Sequence, residues 1–173
     1  KKKEHGGGKV LIGEATTHYI FHPLAPSRIK ELLPGVKIIV LLRNPVSRAY
    51  SHYQHEVRKN REKLTFNEAI EIEPSRPEGS HERILKTKNY FSQERHDHSY
   101  LERGKYYNQL VRWYHLFPEK QILVLKSEEF FKTPKTTYKR VLEFLGLPFY
   151  DKVEFKKMNP GLYKDMEPDT ARR

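Results

Sequence analysis

Apolar residues in this chain fall into short blocks separated by polar, proline-bearing and glycine-bearing stretches, and the spacing inside each block predicts its structure. Val10, Leu11 and Ile12 form a brief apolar run that ends at Gly13, which predicts a strand leading into a loop that reaches Pro26. Ser27 to Leu33 predicts a short helix with Ile29, Leu32 and Leu33 inward, at i, i+3 and i+4, stopped by Pro34-Gly35. Val36 to Leu42 is almost wholly aliphatic and is bounded by Pro-Gly on one side and Asn-Pro on the other. A continuous run of that kind suits a strand buried on both faces, as in a parallel sheet.

Asn44-Pro45 pairs an N-cap residue with proline at the first helical position, so a helix is predicted from there to about Asn60. The unit is a strand, a tight turn and a helix. A second helix is predicted over Thr65 to Ile72, with Thr65 and Glu68 spaced as a capping box. Residues 74–98 carry Pro74, Pro77, Gly79 and many charges, and predict a long surface loop with one short helix at most. Beyond it, Tyr106 to Phe117 predicts a helix with Leu110, Trp113 and Tyr114 inward, ended by Pro118. Gln121 to Leu125 predicts a strand, and Ser127 is placed to cap a short helix running through Phe131. Pro134 opens a last helix that Gly146 closes, followed by an irregular tail from Leu147. Alternating strands and helices predict an α/β layer architecture in a single domain over residues 1–173, with 1–8 as a linker.

Composition agrees with a packed core: hydrophobic residues make up 36% and aromatics 12%, against 32% charged. The formal net charge of +11 points to a polyanionic partner such as nucleic acid, acidic lipid, nucleotide phosphate or anionic glycan. Ile38 to Leu42 is the longest aliphatic run, far short of the roughly 20 apolar residues that cross a bilayer. With no cysteine, the chain has no disulfide framework and no thiolate ligand or nucleophile, and a reducing, cytoplasmic setting is expected. It opens Lys-Lys-Lys-Glu-His-Gly-Gly-Gly, without Met or an apolar leader, so a fragment of a longer chain is expected.

Ligands of open α/β sheets bind beyond the carboxyl ends of the strands, which directs attention to Arg43. The following helix is expected to offer backbone N–H groups and the positive end of its dipole to an anion. Ser51, eight residues after Arg43 and about two turns into the helix, has a hydroxyl to add to the planar guanidinium fork. The competing reading makes Arg43 a surface or ion-pairing residue. His55 lies one i, i+4 step from Ser51, either facing the same cleft or as an exposed helix histidine. The pairs His52/His55 and His96/His98 suggest a metal, but no acidic or sulfur ligand is spaced to complete a shell, so none is predicted. Trp113, Tyr114 and Phe117 read as core, and the Lys and Arg residues of 56–63 as a solvated helix end, with acceptor-anion binding as the other reading.

Leu42-Arg43-Asn44-Pro45, Arg48-Ala49-Tyr50-Ser51 and Tyr53 resemble the 3′-phosphate-binding motif of sulfotransferases. The resemblance continues through Leu101 to Tyr106, Leu110, Trp113, Phe117-Pro118, Gln121 to Leu123, Glu128 and Phe144 to Leu147, and covers most of residues 10–148. It implies a P-loop-NTPase-like parallel sheet flanked by helices. It also implies 3′-phosphoadenosine 5′-phosphosulfate as co-substrate, with Arg43 and Ser51 holding its 3′-phosphate. No metal is implied. The expected acceptor is a hydroxyl or amine of a carbohydrate, a lipid or a small molecule. Tyr50-Ser51 and Tyr53-Gln54-His55 are similar to glucosaminyl N-sulfotransferases, in which the equivalent histidine faces the acceptor. An animal source would place such an enzyme in the Golgi lumen.

Two departures accompany the resemblance. The family's 5′-phosphosulfate loop, a Lys/Gly/Thr turn after the first strand, has no match here, and Gly6-Gly7-Gly8-Lys9 precedes a strand instead of following one. That N-terminal strand and loop, and the glutamate base that follows them, are expected upstream of Lys1. Secondly, Ala15 and Thr17 stand where many relatives carry Lys and Pro. A basic nucleic-acid-binding module is the alternative from another class, without a recognition helix, an aromatic RNA-binding strand or a zinc ligand set to support it. A non-catalytic sulfotransferase-like interaction domain is the third reading.

Overall fold

Two parallel strands and the helices that follow them set the geometry of the molecule. The structure is a computed structural model that describes residues 11–76, 79–87, 90–156 and 166. The predicted linker at 1–8 and Val10 lie outside the described residues.

The elements run α1 (Ala25–Leu32), β1 (Ile38–Leu42), α2 (Pro45–Arg58), α3 (Phe66–Ile72), α4 (Ser80–Lys86), α5 (Gln93–Asp97), α6 (Tyr106–Leu116), β2 (Ile122–Lys126), α7 (Ser127–Lys132) and α8 (Pro134–Leu145). Single 3-10 turns at Glu102–Gly104 and Glu119–Gln121 flank α6. β1 and β2 pair in parallel, Ile38 opposite Ile122 through Leu42 opposite Lys126. Parallel pairing requires a crossover, and everything from α2 to α6 forms it.

Three predicted caps form, whereas Ser127 is the first residue of α7, whose N-cap is Lys126 and which has no side-chain cap bond. Asn44 Oδ1 accepts the Ser47 N–H at 3.1 Å and starts α2. Thr65 and Glu68 form the reciprocal capping box of α3. Gly146 closes α8 at φ +75°, a left-handed conformation that costs glycine little.

One core cluster lies between the sheet, α1 and α6, built on Ala25, Val40, Trp113, Phe117 and Ile122. A second joins α2 to α3 through Ala49, Phe66, Ala69 and Tyr100, with Tyr50 and Tyr53 packed against it. Burying rings of this size supplies roughly 1.5–3 kcal/mol each.

Several expectations are corrected. Leu11 and Ile12 belong to no strand and are 59% and 93% exposed, because the β1–β2 sheet does not extend to them and a lone apolar run has no ladder to join. α1 starts two residues earlier than predicted and buries Ala25 and Pro26, leaving Leu32 76% exposed; only Ile29 of its predicted stripe packs on the core. β1 is covered on one face alone: Val40 is buried while Ile39 and Leu41 are exposed, since α7 and α8 lie along β2 and not over β1. Tyr114 also faces outward. In place of a surface loop, residues 79–100 contain α4 and α5 and bury Ser80, Ile84, Asp97, Ser99 and Tyr100. Polar side chains with internal partners lead that segment inward, which its charge count conceals.

Candidate functional site

The parallel register builds the site. Leu42 lies opposite Lys126, so the residues two places beyond each strand end meet: Glu128 Oε1 accepts the Asn44 N–H at 2.7 Å. That bond holds the exposed Glu128 carboxyl below its ordinary range. From α6, the Tyr106 hydroxyl donates to the Arg43 carbonyl at 2.9 Å. The turn between β1 and α2 is thus pinned by groups 63 and 84 residues away. A third contact comes from Gly104, where an added Cβ would sit 3.1 Å from the Pro45 Cβ, so a side chain there would press on the start of α2. Buried Glu73 in turn caps that 3-10 turn, accepting the Leu101 and Glu102 N–H groups at 2.6 and 2.8 Å, while burial raises its pKa.

Pinning the backbone leaves the Arg43 side chain exposed. Among the described residues neither its guanidinium nor the Ser51 hydroxyl takes a hydrogen-bond or ion-pair partner. At 1.5 Å per residue, Ser51 stands about 9 Å along α2 from Pro45. One expectation changes here. The helix end offers an anion few free donors, because Pro45 has no N–H, Ser47 N–H is bound by Asn44 and Arg48 N–H by the Asn44 carbonyl. Anion binding at this turn therefore rests on side chains.

His55 follows Ser51 by four residues on α2, with its side chain 43% exposed. Its Nδ1 lies 3.1 Å from Arg58 Nη2. A guanidinium only donates, so Nδ1 accepts and the neutral ring carries its proton on Nε2. In that tautomer Nε2 carries the proton and lies 3.8 Å from the buried Glu56 Oε1.

The inner side of α2 is held by buried polar groups. Arg48 donates to the Tyr100 carbonyl, and burial pushes its guanidinium below its ordinary pKa. Tyr100 donates to Glu62 at 3.0 Å, and Arg76 grips the same carboxylate at 2.5 and 3.2 Å. His52 packs edge-on to Tyr100, and burial lowers its pKa to about 3, with Arg103 and Arg48 adding repulsion. His96 and His98, the other predicted pair, are held in hydrogen bonds. His98 pairs with Glu94, and His96 lies between Asp97 and His18. Among the described residues no group of three or more His, Asp or Glu is arranged to hold a metal.

The Sulfotransferase domain family matches residues 12–160. The chain belongs to this family. It is a sulfotransferase-family α/β protein with helices flanking a parallel sheet, and it superposes with a TM-score of 0.67 on the crystal structure of a sulfotransferase from Alicyclobacillus acidocaldarius. That match has 32% identity and covers 91% of this chain and 56% of the other. The chain is also 34% identical over 137 residues to the bifunctional heparan sulfate N-deacetylase/N-sulfotransferase 1 of Xenopus laevis, covering 78% of this chain and 14% of that protein. Against the Homo sapiens bifunctional heparan sulfate N-deacetylase/N-sulfotransferase 3 it is 33% identical over 146 residues, 82% of this chain and 15% of that protein. This sulfotransferase domain sequence thus spans about one seventh of the length of those relatives. No helix among its described residues is long and apolar enough to cross a membrane.

Sequence reasoning named Gly104, Tyr106 and Glu128 only as matching motif positions and assigned them no task. Their task is to fix the turn that carries Arg43, which is visible only once the register of β1 and β2 is known. Arg103 was likewise only a matching motif position, and neither His18 nor Asp97 was given a task; nothing in their spacing marks them.

Proposed function

We propose that this sulfotransferase-family chain forms one domain that binds the 3′-phosphate of 3′-phosphoadenosine 5′-phosphosulfate through Arg43 and Ser51. Its reaction is transfer of the sulfuryl group to a hydroxyl or amine of a carbohydrate acceptor. The observation that carries this reading is a pair of donors without partners among the described residues: the Arg43 guanidinium, on a turn whose backbone is pinned from α6 and α7, and the Ser51 hydroxyl on the helix that follows. A cationic fork just past a strand end and a hydroxyl on the following helix suit a phosphate, which accepts several charge-assisted hydrogen bonds.

The co-substrate supplies the sulfuryl group and leaves as 3′-phosphoadenosine 5′-phosphate. What this chain contributes is position and charge. Arg43 and Ser51 hold the anion, and the carbonyl and N–H bonds of Tyr106 and Glu128 keep Arg43 from shifting when it does so. His55, one helical step beyond Ser51, orients an acceptor hydroxyl by donating from Nε2 to the oxygen lone pair that does not attack. The heparan sulfate enzymes among its relatives make an amine or hydroxyl on a sugar the favoured acceptor.

Calorimetric titration with 3′-phosphoadenosine 5′-phosphate tests the reading. Arg43→Ala removes charge-assisted bonds worth about 1.5–3 kcal/mol, so the Kd should rise roughly tenfold to a hundredfold. Ser51→Ala should cost less, and both variants should melt like the parent because neither side chain is packed. Salt-sensitive RNA binding indifferent to Arg43, with no nucleotide binding, would sink it in favour of a nucleic-acid module.

A further inference from the structure

A cavity of about 530 Å³ opens between the segment leading into α1 and the α4–α5 region. Its walls combine two chemistries. Ile29, Leu32, Ile84, Tyr90 and Phe91 make an apolar lining, while Arg95 and Arg103 bring two guanidiniums to it. Both cations stack on the buried Phe21 ring, at 4.3 and 4.7 Å from its centre. Arginine–carboxylate pairs among the described residues involve Arg61, Arg76 and Arg140, and none reaches Arg95 or Arg103. The Arg103 Nε is moreover a buried donor without a partner. Burial depresses both guanidiniums, and Arg48 and Arg95 add like-charge repulsion on Arg103, whose pKa falls to about 10. Glu102 near Arg95, and Asp97 and Glu56 near Arg103, offset this only in part, and cations partly removed from water without a carboxylate in ion-pair contact favour an added anion.

The geometry also shows how Arg103 is aimed. Its Nη2 lies 3.2 Å from His18 Nδ1 and donates to the His96 carbonyl at 3.2 Å. His18 Nε2 is 3.0 Å from His96 Nε2, and His96 Nδ1 is 2.5 Å from the buried Asp97 carboxylate. A single proton arrangement satisfies every contact with both rings neutral: Arg103 donates to His18, His18 Nε2–H to His96, and His96 Nδ1–H to Asp97. That directed chain holds Arg103 at the cavity wall beside Gly104 and the base of α2.

We propose that this cavity is a binding site for an organic anion whose charged group meets Arg95 and Arg103 and whose aromatic or acyl body fills the apolar wall. An inorganic anion would leave that wall empty, and a neutral body would leave the two cations without an ion-pair partner among the described residues. The site is separate from Arg43 and Ser51 and stands independently of the nucleotide reading.

Titration calorimetry with 2-naphthoate, 2-naphthol, decanoate and sodium sulfate on the full chain tests it. The expected result is that 2-naphthoate or decanoate binds, whichever body fits, while 2-naphthol and sulfate bind at least about tenfold more weakly. Arg95→Gln should weaken the bound anion by a similar factor while 3′-phosphoadenosine 5′-phosphate binding is unchanged. Phe91 is 61% exposed at the rim, so Phe91→Ser tests the apolar wall in a variant whose fold is not at risk, and should also weaken binding. Equal binding of naphthol, equal binding of sulfate, no binding of any probe, or affinity that survives Phe91→Ser would each overturn the proposal.

Discussion

Replacing Glu62 with Gln should destabilise the protein in a manner that depends on pH. The Glu62 carboxylate is buried and accepts from Arg76 at 2.5 and 3.2 Å, from Tyr100 at 3.0 Å and from the Lys63 and Leu64 N–H groups at 3.0 and 3.1 Å. Burial alone would raise its pKa, but those donors outweigh burial and hold it at about 2, against 4.5 unperturbed. A depressed carboxylate contributes stability that is fully present above 4.5 and is lost as pH falls through 2. The shift converts to about 3 kcal/mol at neutral pH, reduced to about 2 kcal/mol because solvent at Arg76 screens part of it. Glutamine cannot take this place neutrally, since its amide N–H₂ would face further donors. Urea unfolding should therefore show Glu62→Gln about 2 kcal/mol or more less stable than the parent at pH 7. Of the charge-dependent part, roughly two fifths should remain at pH 3. A deficit that is the same at pH 7 and pH 3, or one below about 0.5 kcal/mol at pH 7, would refute the assignment of a charged, load-sharing carboxylate at this position.

Gly104→Ala forces a Cβ to within 3.1 Å of Pro45 and should cost about 1–3 kcal/mol in urea unfolding while weakening 3′-phosphoadenosine 5′-phosphate binding, because the displaced partner carries the Arg43 turn. Tyr106→Phe deletes the hydroxyl that donates to the Arg43 carbonyl and should lose about 1 kcal/mol of stability and a few-fold in nucleotide Kd, read from the same two assays. His52 is neutral in the fold with a pKa of about 3 against 6.5 unperturbed, so the unfolded chain binds the extra proton below 6.5 and stability falls as pH drops towards 3. Between pH 6.5 and 5 that loss should reach about 2 kcal/mol, and His52→Phe should flatten the dependence of the urea midpoint on pH.

Local signals carried far in this chain. Asn44-Pro45, the Thr65/Glu68 box and Gly146 each act through bonds within a few residues, so the starts of α2 and α3 and the end of α8 were legible from sequence. The placement of Arg43 just past the end of β1 and of Ser51 within α2 was legible too, because both follow from the bounds of one strand and one helix. Burial was legible less often. Ile39 and Leu41 read as interior by composition, yet a strand face is buried only if another element crosses it, and the helices after β2 lie elsewhere.

By itself, then, the sequence determined the alternating α/β elements, the caps that open α2 and α3 and close α8, and the family. Only the tertiary structure decided what holds the Arg43 turn in place, and which charges are left over. Glu128 meets Asn44 because two strands pair in one register, Gly104 meets Pro45 because a buried Glu73 caps the turn before it, and Arg103 meets His18 across 85 residues. Hydrogen bonds and ion pairs act over a few ångströms, whereas spacing along the chain specifies neighbours only within a helix or a strand. Contacts between distant segments follow from packing, and the cavity's Arg95 and Arg103 are guanidiniums that packing leaves without a carboxylate ion pair among the described residues.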